Sequence, residues 1–261
     1  ALTNPEDWND DHYADNIDSY SDAVVWEVHV RDFSNKDTQS KYKGKYLSFT
    51  ETGHETTQNF TNPNNTNPNS TPVKTPIGMD HVKELGITHI QLNPVFDFAT
   101  VDEATSGNAN EAIGEGKVVA TDRNPQFNWG YDPKNFNVPE GSYSTDPYHG
   151  EVRINEFKRM VQAIHRHDIG IVMDVVYNHT YDANSNFNRI VPYYYYRYNF
   201  NGTNSNGSGC GNETASQRAM FRKFMVDSIR FWATEYHIDS FRFDLMAIHD
   251  TDTMQAVEQT L

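Results

Sequence analysis

The fold of this chain is indicated most clearly by the stretch Ile238-Asp239-Ser240-Phe241-Arg242-Phe243-Asp244-Leu245-Met246. Side chains alternate across a β-strand, so a strand here would place Arg242 and Asp244 on one face and the phenylalanines on the other. A guanidinium within a few ångströms favours the ionised form of a carboxyl group. Such a carboxylate at the end of a buried strand suits a nucleophile, and it equally suits a structural ion pair.

The sequence before this stretch repeats one pattern, a strand followed by a helix. The predicted strands cover residues 23–30, 87–95, 171–176 and 239–245. Predicted helices cover residues 79–85 and 153–167, and Thr214-Ala-Ser-Gln217 has the pattern of a capping box that opens another helix. Strands that alternate with helices predict the α/β class with a parallel sheet.

The loops divide unequally between the two ends of the predicted sheet. Long polar stretches at 34–72, 97–150 and 180–212 follow strands, whereas the returns from helix to strand are short. Long βα loops are typical of a TIM (β/α)8 barrel, which builds its active site at the carboxyl ends of the strands. The prediction is therefore the first half of such a barrel, with about four β/α units over residues 21–261, after a linker or lead-in at 1–20.

The composition argues against nucleic acid, membranes and cysteine-bound metals as partners. The net charge is −15, from 36 acidic and 21 basic residues, and this disfavours nucleic acid and anionic membrane surfaces. No apolar run approaches the ~18 residues that a membrane span requires. With a single cysteine, Cys210, no intrachain disulfide or cysteine-based metal cluster is expected. A neutral substrate fits this charge, and an extracellular or cell-surface location is favoured over the cytoplasm.

A second set of polar residues lies at the end of the third predicted strand, in Met173-Asp174-Val175-Val176-Tyr177-Asn178-His179. Asp174 and Asn178 have the same parity and are predicted to point toward the barrel axis, with His179 just past the strand tip. A carboxylate, an amide and an imidazole there can hydrogen-bond sugar hydroxyls, or they can simply satisfy the loop backbone. Their position beside Arg242 and Asp244 favours the first interpretation.

These motifs together resemble those of one family, the type I pullulanases, which are debranching enzymes of the α-amylase superfamily. The similarity runs from about residue 20 to residue 261. The segments that resemble the family are Trp26-Glu-Val-His-Val-Arg-Asp-Phe-Ser34, Phe127-Asn-Trp-Gly-Tyr-Asp-Pro133, Asp174-Val-Val-Tyr-Asn-His179, Gly207-Ser-Gly-Cys-Gly-Asn-Glu-Thr-Ala-Ser216, Phe241-Arg-Phe-Asp244 and Asp244-Leu-Met246.

The resemblance implies roles for individual residues. Asp244 would be the nucleophile and Arg242 would keep it ionised. His179 would hydrogen-bond the sugar before the cleaved bond, and Tyr131 would stack beneath that sugar. The other residues implied in substrate binding are Asn128, Trp129, Asp174, Asn178 and Met246. Phe127 stands where the family usually has tyrosine, which costs one hydroxyl but keeps the ring.

A retaining glycosidase needs a second carboxyl group about 5–5.5 Å from the nucleophile. The resemblance places that acid on the next strand, and Glu258, the only glutamate after Asp244, has no matching context. We therefore expect the C-terminal half of the same barrel, outside this sequence, to be a required partner. A four-stranded half would also leave two open parallel edges.

The resemblance implies an α-glucan as substrate and hydrolysis of α-1,6-glucosidic bonds by double displacement. Isoamylase, an α-1,4 amylase and a non-catalytic glucan-binding relative remain alternatives. No cofactor is expected. In some relatives the counterpart of Asn178 binds calcium, but no cluster of oxygen ligands is evident near it in the sequence, so no metal is predicted.

Overall fold

The computed structural model describes residues 3–58, 73–103 and 128–261. Its main sheet has four parallel strands in the order β1-β4-β7-β8, so strands that are successive in this sheet are neighbours in space. The bounds of these strands are β1 Val25–Val28, β4 His89–Leu92, β7 Gly170–Val175 and β8 Ser240–Phe243. All four strands were predicted, and the parallel sheet confirms the predicted part of a β/α barrel.

Six helices of the described residues accompany the strands. They are α1 Val30–Ser34, α2 Met79–Glu84, α3 Gly150–His165, α4 Asn186–Ile190, α5 Ala219–Tyr236 and α6 Thr251–Glu258. The buried apolar side chains of α3 and α5 pack with those of β4 and β7 in one hydrophobic core. Removing so much apolar surface from water is the main favourable contribution to folding. Phe157 and Trp232, on α3 and α5, have ring centroids 5.6 Å apart in this core.

The predicted loops contain more structure than the sequence indicated. Within 34–72 the 3₁₀ turn Tyr46–Thr50 is largely buried, and β2 Glu55–Gln58 pairs with β3 Val73–Pro76, which follows this stretch. At the start of 97–150, β5 Phe96–Phe98 pairs with β6 Pro133–Pro139. The prediction of polar loops was therefore wrong for these parts. In the 3₁₀ turn and in β5, buried aromatic side chains supply local apolar contacts.

The predicted capping box is also wrong. Helix α5 begins at Ala219, after Arg218, which makes no side-chain cap. The Thr214 hydroxyl instead donates to the carbonyl of Tyr177, 2.6 Å away, and Gln217 accepts from Arg197. Both side chains are thus used in contacts between loops, which local sequence patterns do not reveal.

The segment predicted as a linker or lead-in lies against the amino-terminal end of the barrel. Trp8 is 5 % exposed and stacks on His237, with ring centroids 4.2 Å apart. Asn16 donates to the carbonyls of Thr88 and Asp168, which precede β4 and β7. The described part of this segment therefore has fixed contacts of its own. None of the described helices combines the length and apolar character needed to cross a bilayer.

Candidate active site

The register of the sheet brings polar side chains to one level at the carboxyl ends of the strands. Asp174 on β7 is aligned with Arg242 on β8. Asn93 directly follows Leu92, which is aligned with Met173, so Asn93 lies at the same level as Asp174. Side chains of one parity face one side of a sheet. This level of the barrel interior is consequently hydrophilic, whereas Leu92 and Met173 are buried in the apolar core on the other face.

Arg242 joins the two carboxylates of the site. Its Nη1 atom lies 2.9 Å from both carboxylate oxygens of Asp174 and 3.0 Å from Oδ1 of Asp244. Arg242 and Asp244 therefore share a face, as the alternation of the strand predicted. The Arg242 side chain is 43 % exposed and that of Asp244 is 17 % exposed, whereas Asp174 is fully buried. Asp244 is thus the more accessible of the two carboxylates.

Asn178 braces the same aspartate from the other side. Its Nδ2 atom donates to the backbone carbonyl of Asp244 at 2.9 Å and to the carboxylate Oδ2 at 3.2 Å. Its Oδ1 atom lies 2.5 Å from Nδ1 of His179. Asn178 is fully buried and its amide is engaged by these neighbours, so its predicted substrate contact stays a prediction.

Tyr131 reaches the site from the loop that precedes β6. Its hydroxyl donates to Oδ2 of Asp174 at 2.7 Å. The preceding Gly130 has φ +92°, and a Cβ built there would lie 2.8 Å from the carbonyl oxygen of Pro94. Glycine is therefore required both for this left-handed backbone and for the close approach of the loop to the end of β4.

Asn128 and Trp129 occupy the same loop with different exposure. The Asn128 amide donates to Thr100 and Asp132 and accepts from the backbone N–H of Gly130. Asn128 thus braces the loop, and its predicted sugar contact stays a prediction. Trp129 is 48 % exposed, so its indole offers a surface on which a sugar ring can stack.

Three further residues that the sequence analysis named remain to be placed. Met246 follows Asp244 in a 3₁₀ turn and is 55 % exposed. Phe127 lies outside the described residues. Glu258 is exposed at the end of α6, on a helix and not at a strand end.

Burial sets the protonation of the groups around Asp244. It raises the pKa of Asp174, while hydrogen bonds from Tyr131 and Arg242 act in the opposite direction. It also raises the pKa of the Tyr131 hydroxyl, with the neighbouring Asp174 adding to this effect. Burial lowers the pKa of His179. Tyr131 therefore remains a phenol, which can donate a hydrogen bond, and a neutral imidazole is favoured at His179.

A cluster of carboxyl groups that sequence reasoning missed lies beneath the loops. Asp97, Glu103 and Glu140 offer oxygen atoms within 4.8 Å of one another. Burial raises the pKa of Asp97 to about 6 and that of Glu140 to about 8. Glu140 accepts from the backbone N–H groups of Phe98 and Ser142. Glu103 pairs with Arg153 and Asp97 accepts from Asn135, so donors of the protein itself serve this cluster.

Sequence reasoning also missed Glu27 and Asn93. The amide of Asn93 donates to Glu27 at 3.1 Å and lies 3.4 Å from the hydroxyl of Tyr131. Alternation along the predicted strand 23–30 places Glu27 and His29 on one face. Nothing in a single sequence indicated that this face meets Tyr131.

A carboxylate, a guanidinium, an imidazole and an exposed indole at the strand ends of a β/α barrel are typical of glycoside hydrolases. Residues 78–206 match the family described as alpha amylase, catalytic domain. Pullulanase of Bacillus subtilis (strain 168) is 40 % identical over 235 residues, which are 89 % of this chain and 28 % of that protein.

Solved structures give the same result. Pullulanase from Paenibacillus barengoltzii in complex with maltohexaose and α-cyclodextrin aligns with a TM-score of 0.83 at 42 % identity, over 99 % of this chain and 36 % of that one. Pullulanase from Bacillus acidopullulyticus aligns with a TM-score of 0.81 at 43 % identity, over 99 % of this chain and 28 % of that one.

This chain belongs to the α-amylase family of glycoside hydrolases and forms part of its catalytic barrel. The resemblance to pullulanases is thereby confirmed. The chain spans between 28 % and 36 % of the length of the relatives named above.

Proposed function

We propose that the protein containing this chain hydrolyses α-1,6-glucosidic bonds of pullulan, amylopectin or limit dextrins with retention of configuration. The observation that carries the proposal is the placement of Asp244. Its carboxylate is partly exposed at the strand ends and accepts hydrogen bonds from both Arg242 and Asn178. A retaining glycosidase needs a carboxylate held in this way to attack the anomeric carbon. The similarity to pullulanases supplies the substrate class.

In the first step an oxygen of Asp244 forms a bond with the anomeric carbon as the bond to the leaving oxygen breaks. A carboxylic acid from the remaining half of the barrel gives its proton to that oxygen. In the second step the same group takes a proton from water, the water oxygen attacks the anomeric carbon, and Asp244 is released. His179 would donate or accept a hydrogen bond with a hydroxyl of the sugar. Tyr131 and Trp129 would lie against the apolar faces of the sugar ring.

The substitution Asp244→Asn in the complete protein tests the assignment of the nucleophile. We expect kcat on pullulan to fall at least about a thousandfold, because an amide cannot form the glycosyl ester. Binding of the glucan should change little, since the side chain keeps its shape. The matched control is Asp252→Asn, at an aspartate whose side chain is 79 % exposed on α6. Turnover of the Asp244 variant near that of the unmodified protein would contradict the assignment.

The products identify the bond that is cleaved. Cleavage of α-1,6 bonds in pullulan releases maltotriose in the α-anomeric form, which chromatography and early-time NMR detect. Products that retain the α-1,6 linkage would indicate an α-1,4 amylase instead. Glucan binding without any products would indicate the non-catalytic relative.

A further inference from the structure

A chain of hydrogen bonds crosses the barrel interior from the first strand to the reacting carboxylate. It begins at Glu27 on β1, passes through Asn93 after β4 and reaches the Tyr131 hydroxyl. That hydroxyl donates to Asp174, which shares Arg242 with Asp244. These hydrogen bonds thus link side chains of β1, β7 and β8, of the residue that follows β4, and of the Tyr131 loop.

The direction of each hydrogen bond follows from the chemistry of the end groups. An ionised carboxylate only accepts, so Glu27 requires the NH₂ group of Asn93 and not its carbonyl oxygen. The same NH₂ group also faces the oxygen of Tyr131. The Tyr131 oxygen accepts a hydrogen bond from this NH₂ group through one of its lone pairs. The Tyr131 proton is therefore donated to the carboxylate of Asp174. Glu27 therefore fixes the amide of Asn93, and Asn93 fixes the direction of the phenol.

The position of Asn93 is fixed by its burial and by a backbone hydrogen bond. Asn93 is 4 % exposed, and its N–H donates to the carbonyl of Val28 at 3.0 Å, which ties the end of β4 to β1. A Cβ built on Gly130 would lie 2.8 Å from the carbonyl oxygen of the following residue, Pro94. The Tyr131 loop is consequently packed on the residues that present the Asn93 amide, so a change at Asn93 acts directly on Tyr131.

We propose that Glu27 and Asn93 are positioning residues of the catalytic site, which act through the Tyr131 hydroxyl to orient Asp174 and Arg242 around the nucleophile. This inference rests on the proposed function, since Asp244 is the nucleophile only if the protein is a glycosidase. Neither residue reaches the reacting atoms in the described contacts. Glu27 and Asn93 affect the orientation of the groups that contact the reacting atoms. Their substitution should therefore change kcat more than KM.

A double-mutant cycle on the complete protein tests the inference. We expect Asn93→Ala to lower kcat on pullulan about tenfold, with KM changed by less than about twofold, as one positioning hydrogen bond is lost. In the Tyr131→Phe background the same substitution should lower kcat by less than about twofold, because the hydroxyl through which Asn93 acts is absent. Equal losses in both backgrounds would overturn the inference and leave a merely structural role.

Two variants of Glu27 add a second test that does not depend on Asn93. Glu27→Gln keeps an acceptor oxygen and should retain kcat within about threefold, whereas Glu27→Met removes it and should resemble Asn93→Ala. Equal kcat values for the two variants would contradict the inference. The matched control for loss of an amide is Asn155→Ala on α3, whose side chain donates to Thr3.

The outcomes separate the two proposals. An unmodified protein that hydrolyses no α-glucan would overturn the proposed function. An active unmodified protein without coupling between Asn93 and Tyr131 would overturn only the present inference. Thermal midpoints of all variants, measured in parallel, show whether a loss of kcat comes from unfolding.

Discussion

Burial decides which of the two aspartates near Arg242 can act on a substrate. The sequence suggested sugar contacts for Asp174, but this residue has no exposed surface and accepts from Tyr131 and Arg242. Asp244 follows the strand end and remains partly exposed. A buried carboxylate that accepts several hydrogen bonds orients its donors, whereas an accessible one can react. We therefore propose that Asp174 supports the site and does not contact the substrate.

The substitution Arg242→Lys tests how both aspartates depend on one guanidinium. A planar guanidinium presents several N–H groups in fixed directions, while an ammonium is a compact charge on a flexible stem. We expect kcat on pullulan to fall about a hundredfold, because one nitrogen, Nη1, contacts both aspartates, and the shorter, more flexible lysine side chain does not hold its ammonium at that position. Steady-state kinetics measure this, with Arg189→Lys on exposed α4 as control. Unchanged kcat in the Arg242 variant would show that charge alone suffices.

At the scale of elements, buried charged side chains connect the lead-in (residues 1–20) to the amino-terminal end of the barrel. Both ring nitrogens of His165 on α3 lie 3.0 Å from carboxylate oxygens, Nδ1 from Asp11 and Nε2 from Asp239. Asp11 also accepts from His237 at 2.8 Å. Carboxylates only accept, so a protonated imidazole satisfies both partners. Despite the opposing effect of burial, these partners raise the pKa of His165 to about 9.

The stability of the protein should therefore depend on pH through His165. Its pKa is raised above the unfolded value of 6.5, so its contribution is complete below pH 6.5 and is lost as pH rises through 9. The shift corresponds to about 3 kcal/mol. The pKa of Asp11 is lowered, so its contribution is present above its unfolded value of 3.8 and is lost in acid.

We expect the thermal midpoint of the complete protein to fall between pH 6 and pH 9.5, and His165→Gln to flatten this dependence. Calorimetry at both pH values measures the midpoints. The control is His149→Gln, at an exposed histidine that pairs with Asp146 on the surface. An identical pH dependence in the His165 variant would contradict the role of this cluster.

At the scale of the whole molecule, the sheet has two edges. Among the described residues, β1 and β8 each pair with a single neighbour, β4 and β7 respectively. Val24 and Val25, at the β1 edge, are about half exposed. Parallel strands are normally covered on both sides, and exposed edges invite pairing with other chains. The remaining strands of the barrel would cover these edges and supply the acid.

Expression of residues 1–261 alone tests this expectation. We expect the isolated chain to bind a hydrophobic dye, to form oligomers and to release no maltotriose from pullulan. The complete protein should bind little dye and be active. Gel filtration, dye fluorescence and product analysis on both proteins measure the difference. A monomeric, dye-free and active isolated chain would contradict it.

Local patterns determined a large part of this protein from the sequence alone. The strands, the helices α2 and α3 and the shared face of Arg242 and Asp244 follow from the local periodicity of the sequence. The resemblance to pullulanases follows from short motifs. Only the tertiary structure decided that Glu27, Asn93, Tyr131 and Asp174 form one chain of hydrogen bonds, that Asp174 is buried, and that the lead-in packs under the barrel. The hydrogen bonds of this series join residues 38 to 66 positions apart in the sequence, and Asp11 and His165 are 154 positions apart. Strand register and loop packing set such contacts, and no local periodicity records them.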